Sequence, residues 1–285
     1  MSKTAVVVMA YGSPERLEDV PAYFTDIRGG RPASPEAVEA LVERYRRIGT
    51  SPLNAITEAQ RAGLERELGL PVYMGMKHWS PWIADAAAQA TADGAERVVG
   101  LVLAPHYSSM SVGGYRDRLQ TALNGTELTM IESWHDHEPF VDLVADRIRG
   151  TDAHVVFTAH SLPERILADG DPYRDQLIET SRLVAERAGT DDWSFAFQSE
   201  SPTGEPWLGP DILDHLEALH RQGARKVLVA PVGFVADHLE ILWDIDVAAR
   251  AKADALGLEL ARIESMNDDP RFVAALADLV RSRAL

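Results

Sequence analysis

Short runs of β-branched and other apolar residues alternate along this chain with longer segments in which apolar positions recur every three or four residues among Ala, Glu and Arg. The first pattern predicts strands buried on both faces, and the second predicts amphipathic helices that cover them. Strands are expected at residues 5–10, 71–76, 97–104, 129–131, 154–159, 194–197 and 226–232, with a last one near 259–262. Helices are expected at residues 36–47, 57–68, 83–93, 112–124, 139–149, 175–188, 210–222, 234–256 and 269–284. Strands and helices taking turns in this way predict the α/β class, with parallel sheets covered by helices on both faces.

One phrase of the pattern occurs twice. VVVMAYGSPE ends at Glu15, VVFTAHSLPE ends at Glu164, and each is followed by Arg. Laying Ala10 on Ala159 places Tyr11 on His160, a polar ring at the same strand end in each copy. A second pair of segments, starting at Arg97 and Lys226, superposes Ala104-Pro105 on Ala230-Pro231 in the same order. Two ordered echoes predict one duplication rather than a solenoid. The expected architecture is therefore two similar Rossmann-like domains, residues 1–150 and 151–285, with the last helix, 269–285, able to pack back on the first. Ligands of open parallel sheets bind beyond the carboxyl ends of the strands. Tyr11, His160 and the turn after Val232 should then surround one cleft between the domains.

Composition narrows the function. The chain has 28 Lys and Arg against 44 Asp and Glu, a formal net charge of −16, which repels nucleic acid and anionic membranes. Cysteine is absent, so this chain offers no disulfide, no thiolate nucleophile and no cysteine-held iron–sulfur cluster. No apolar run approaches the roughly 20 residues that cross a bilayer, and the expected location is the cytoplasm.

The segment Gly233-Phe234-Val235-Ala236-Asp237-His238-Leu239-Glu240 follows a strand and opens a predicted helix. On a regular helix, positions two apart diverge by about 200°, so His238 and Glu240 are not expected to share an ion. Glu240 needs a partner from elsewhere, and His160 at the matching strand end is the candidate. A histidine and a carboxylate suit Fe(II), Zn(II) or Co(II). The remaining polar residues read more plainly. His135-Asp136-His137 is expected as a helix-capping turn, Lys77-His78 at the cleft mouth, His106 as a hydrogen-bonded structural residue, and His215 and His220 as solvated helix positions. Glu164 and Asp237 either orient the catalytic side chains or cap helices.

AHSLPE, VGFVADHLEIL, SVGGY, IRGGR, RYRRIGTSPL, QSE and PWLGPD are seven ordered segments spread across nearly the whole chain. With MAYGSP near the N-terminus, the sequence resembles the ferrochelatase family, and within it the bacterial coproporphyrin III type. The resemblance implies insertion of Fe(II) into coproporphyrin III, with release of two protons, to form coproheme in haem biosynthesis. It implies that His160 and Glu240 bind the entering metal and handle pyrrole protons on one face of the macrocycle. Tyr11 would be the axial residue on the other face, and Arg28, Arg44, Tyr45, Ser51 and Tyr115 would hold the propionates. Asp244, one turn beyond Glu240, would lie on the metal path, although Ala248 stands where relatives often continue that row with a carboxylate. Iron is then a substrate and no cofactor stays bound. The partners implied are the porphyrin, ferrous iron and the next enzyme of the pathway, and the expected state is a monomer. The rival functions are a protoporphyrin, cobalt or nickel chelatase of the same fold, or a haem carrier without catalysis, which would need neither His160 nor Glu240.

Overall fold

The computed structural model describes residues 3–201 and 203–284. Strands β1 (Thr4–Ala10), β2 (Val72–Met76), β3 (Arg97–Val102) and β4 (Glu127–Ile131) form one sheet in the order β2-β1-β3-β4. Strands β5 (His154–His160), β6 (Trp193–Gln198), β7 (Lys226–Ala230) and β8 (Glu259–Arg262) form a second in the order β6-β5-β7-β8. Every pairing is parallel. Laying β1 on β5 makes the two orders coincide, as the duplicated phrases predict. β3 and β7 end sooner than expected, just ahead of Pro105 and Pro231, whose rings carry no N–H to continue a ladder.

The helices are α1 (Val20–Ile27), α2 (Pro35–Ile48), α3 (Leu53–Leu68), α4 (Ile83–Ala92), α5 (Val112–Leu123), α6 (Glu138–Ile148), α7 (Arg165–Ala168), α8 (Tyr173–Ala188), α9 (Ile212–Arg221), α10 (Arg250–Leu256) and α11 (Pro270–Ala284). Of these, α1 and the single turn α7 were not predicted. In α1 the Pro falls in the first turn, where its missing N–H costs nothing, so Pro21 opens the helix instead of breaking it. The single helix expected over residues 234–256 does not form. The chain instead turns through residues 233–239, runs as a π-helix over Glu240–Ala249, and only then becomes α10.

One apolar core joins the halves. Val6 and Val8 of β1 and Leu101 of β3 belong to the same buried cluster as Val155 and Phe157 of β5, with Trp134, Phe140 and Phe272 filling its middle. The Trp134 ring sits edge-on to Phe140 at 5.2 Å, and its indole N–H donates to the Val102 carbonyl at 3.0 Å. Helix α11 packs against α3 and α6, so residues 270–284 lie with the first sheet although they follow the second in sequence. Leu285, the last residue assigned to that helix, lies outside the described residues. Phe272, Leu276, Leu279 and Val280 are all buried there, at about 1.5–3 kcal/mol each.

Candidate active site

The carboxyl ends of the central strands open into a cleft of about 440 Å³, lined by Tyr11, His160 and Glu240 among others. Two glycines shape it. Gly12 has φ of 87°, and a Cβ there would lie 2.9 Å from the Met76 Cβ, so only glycine lets the chain turn directly after Tyr11. Gly233 passes so close to β5 that a Cβ would lie 2.5 Å from that of Ala159, which brings the 233–239 turn beside His160.

His160 and Glu240 meet as expected from the sequence. His160 Nε2 lies 3.4 Å from Glu240 Oε1, while its Nδ1 donates to the Ser161 carbonyl. His238 also reaches the carboxylate, with Nε2 3.5 Å from Oε2, contrary to the helical-spacing expectation. That expectation assumed a regular helix at this point, but residue 238 precedes the first π-helical turn and is free of its rotation. Burial alone would lower the His160 pKa, but the Glu240 carboxylate overrides it and pushes the imidazole up to about 9. Burial would likewise raise Glu240, but His160 and then His238 hold its carboxyl well below the usual range. Metal–donor bonds of about 2.0–2.2 Å set adjacent ligand atoms about 3–3.5 Å apart, so the His160–Glu240 separation fits two donors of one ion. Among the described residues no three His, Cys, Asp or Glu side chains are grouped so as to hold a metal ion.

Gln198, buried at the end of β6, was missed as a positioning residue. Its amide donates to the Glu240 carbonyl at 2.8 Å and its oxygen accepts from Thr158, tying the start of the π-helix to β5. The QSE phrase was the available signal, but nothing local shows where a glutamine amide points. Asp244 follows along the π-helix, accepts from Ser199, and is raised to about 6, by burial first and then by Glu240. Asp237 does not face the pair. It accepts from Ser265 at 2.7 Å and Asn267 at 3.0 Å and lies 3.3 Å from Arg262, anchoring the turn that presents His238 and Glu240. Glu164 is exposed ahead of α7, makes no side-chain cap, and has no hydrogen bond to His160 or Glu240.

On the first-domain side, Tyr11, Tyr45, Ser51 and Tyr115 line the cleft. Tyr11 stacks at a tilt on His78, 4.5 Å between ring centres, and burial followed by Glu240 raises its phenol well above the ordinary value. Burial pushes Tyr45 up to about 12, so it stays a phenol, 3.2 Å from the Ser13 hydroxyl. Lys77 lies inside the cleft rather than at its mouth: its ammonium stands 4.8 Å over the Tyr115 ring, and burial, then Arg118, pushes it down to about 8. Arg28 and Arg44 do not line the cleft. Both are exposed, at the end of α1 and on α2, where Arg28 lies over Phe24 and Arg44 over Trp243 of the π-helix.

Of the other histidines, His106 is buried and pairs with Thr180 at 2.9 Å, the structural role expected, although it also borders the cleft. His137 precedes α6 but caps nothing with its ring, which instead meets the Ala275 carbonyl at 3.0 Å. His215 is not a solvated position, since its Nε2 bonds Ser194 at 2.7 Å.

A sequence profile of the ferrochelatase family matches residues 3–284. The chain is 47% identical to a ferrochelatase of Herpetosiphon aurantiacus, over 98% of each chain. It is 42% identical to the coproporphyrin III ferrochelatase of Bacillus subtilis, over 98% of this chain and 97% of that one. Among solved structures, SirB from Bacillus subtilis with Fe3+ superposes with a TM-score of 0.65 at 13% identity, covering 99% of this chain and 96% of that one, a likeness of fold alone. Matched from end to end and carrying the cleft between two duplicated sheets, the chain belongs to the ferrochelatase family, the metal-inserting chelatases.

Proposed function

We propose that this chain inserts ferrous iron into coproporphyrin III, with His160 and Glu240 receiving the metal and Tyr11 on the opposite face of the macrocycle. The observation that carries the reading is the His160–Glu240 pair, 3.4 Å apart and open to the cleft that Tyr11 also lines. At neutral pH the imidazole is protonated and the carboxylate is not, so the entering ion displaces the His160 proton and meets a ready oxygen donor. Once neutral, His160 accepts a pyrrole proton as the nitrogens close on the metal. Glu240 accepts or passes on the second, and Asp244, poised near 6, is the next acceptor along the helix.

The choice of a tetracarboxylate porphyrin rests on the rim and on kinship. A tetra-anion binds a chain of net charge −16 only where local cations and hydroxyls outweigh the field. Tyr45, Ser51 and Tyr115 inside the cleft supply hydroxyls and the buried Lys77 an ammonium, while Arg28 and Arg44, exposed outside the cleft lining, are the further cations that the family resemblance assigns to the propionates. Several relatives at about 40% identity bear the name coproporphyrin III ferrochelatase. In this reading no cofactor stays bound, and the chain acts as a cytoplasmic monomer that passes coproheme to the next enzyme.

Anaerobic Fe(II) insertion with coproporphyrin III and protoporphyrin IX side by side tests the assignment. Replacing Arg28 or Arg44 by Ala removes a charge-assisted contact of about 1.5–3 kcal/mol and should weaken coproporphyrin binding about 10- to 150-fold. Protoporphyrin IX, with two fewer carboxylates, should lose less. Equal losses in fluorescence-quenching titrations would remove the case for the tetracarboxylate substrate.

A further inference from the structure

At the opposite end of the second sheet, two imidazoles close on one hydroxyl. His154 opens β5 and Ser194 lies near the start of β6, while His215 approaches from α9. His154 Nε2 and His215 Nε2 each lie 2.7 Å from Ser194 Oγ. His154 Nδ1 is 2.6 Å from Asp192 Oδ1, and the carboxylate can only accept there. With both rings neutral, one ordering satisfies every contact: His215 Nε2 donates to Ser194, Ser194 donates to His154 Nε2, and His154 Nδ1 donates to Asp192.

We propose that His154 and His215 form a second metal site, taking a divalent transition ion of the copper, nickel, zinc or cobalt class. An ion bound to two imidazoles at about 2.0–2.1 Å holds their nitrogens about 3–4 Å apart. Here the two nitrogens are already pinned to one atom, at most twice 2.7 Å from each other. Turning the Ser194 hydroxyl aside leaves both aimed at a common point. His215 Nδ1 makes no hydrogen bond among the described residues, so it can carry the ring proton and free Nε2 with no net proton released. Asp192 holds His154 in the required tautomer, as carboxylates do behind metal-bound histidines. The side chains of His154 and Ser194 are partly exposed, so water can reach the point and complete the shell. Imidazole nitrogen without thiolate selects the borderline divalent ions.

Asp192, His154 and Ser194 also have the order of a nucleophile triad. The donation from His215 takes up one of the two Ser194 lone pairs and lowers the nucleophilicity of the oxygen, which argues against that use. The site is also separate from the cleft. His154 and His160 lie at the two ends of β5, and six residues at about 3.3 Å each separate them by about 20 Å.

Copper(II) titration of the His160→Ala protein, which lacks the cleft imidazole, tests the site by electron paramagnetic resonance. About one ion per chain should show nitrogen hyperfine structure from two imidazoles. His154→Gln and His215→Gln should each remove one nitrogen from the spectrum. Asp192→Asn should weaken binding about 10- to 100-fold, and Ser194→Ala, which removes only the competing hydroxyl, should leave it in place. A parent spectrum without two imidazoles, or one that His215→Gln leaves unchanged, overturns the proposal. Zn(II) added to the unmodified protein gives a check that needs no variant. The ring nitrogen resonances of His154 and His215 should move together once metal exceeds what the His160–Glu240 pair takes up, and a His215 ring still unmoved in that excess overturns the site equally.

Discussion

The carboxylate held beside His160 raises its imidazole above the ordinary value, and the consequences can be measured. His160→Ala should reduce metal insertion by about 10²- to 10⁴-fold while porphyrin binding stays nearly intact, since the ring acts on metal and protons rather than on propionates. Insertion followed by absorbance and binding followed by fluorescence quenching separate the two effects. The pair also has a pH signature in stability. His160 is raised, so its contribution is complete below 6.5 and is lost as pH climbs through about 9. Glu240 is depressed, so its contribution is complete above 4.5 and is lost only in strong acid. The advantage in thermal midpoint of the wild type over Glu240→Gln should therefore shrink between pH 7 and 10. In that variant burial loses its main opponent, and a nuclear magnetic resonance titration should find His160 well below 9. Tyr11 is a phenol at neutral pH, raised by burial and by Glu240, so it can ligate iron well only where ferric ion favours the phenolate. Tyr11→Phe should abolish any phenolate charge-transfer band of the ferric product and speed its release, with insertion changed by less than about tenfold. An unchanged ferric spectrum would leave Tyr11 as a packing residue.

Among the elements, the turn at residues 233–239 and the π-helix after it decide the geometry of the site. Asp237 fixes that turn from behind, through Arg262, Ser265 and Asn267. Arg262 keeps a second partner in Asp246, so Asp237→Ala leaves no wholly unpaired charge. The expected cost is about 1.5–3 kcal/mol, read as a lower urea midpoint at constant slope. A fall in insertion rate with porphyrin affinity unchanged should accompany it, because the displaced groups are His238 and Glu240. Unaltered stability would show that the network does not anchor the turn. None of this was legible in local patterning. A helix with i to i+5 bonds uses the same residue types as an α-helix, so residues 234–256 read as one continuous element. The early ends of β3 and β7 were also overrun, although Pro105 and Pro231 carried a local signal, since their rings lack the N–H that would continue the ladder.

For the whole molecule, one buried cluster draws on both sheets and should make the two halves unfold as one cooperative unit. Leu279 of α11 is fully buried in it, and Leu279→Ala should cost about 2–5 kcal/mol. Thermal unfolding should remain one transition that moves to lower temperature, with far-ultraviolet dichroism and tryptophan fluorescence coincident. Two separated transitions would show that the halves unfold independently.

Hydrophobic periodicity, two repeated phrases and the absence of cysteine determined by themselves the α/β class, the duplication, the strand ends that carry Tyr11 and His160, and Glu240 as partner to the latter. These are properties of short segments, written in residue type and spacing. Tertiary structure alone decided that His238 joins Glu240, that Gln198 fixes the π-helix, that Asp237 faces Arg262, and that His215 turns inward to Ser194. It also decided that α11 lies with the first sheet. Each of these depends on where a side chain finds its partner across a gap in sequence, and such pairings are set by the packing of whole elements rather than by the residues next to them.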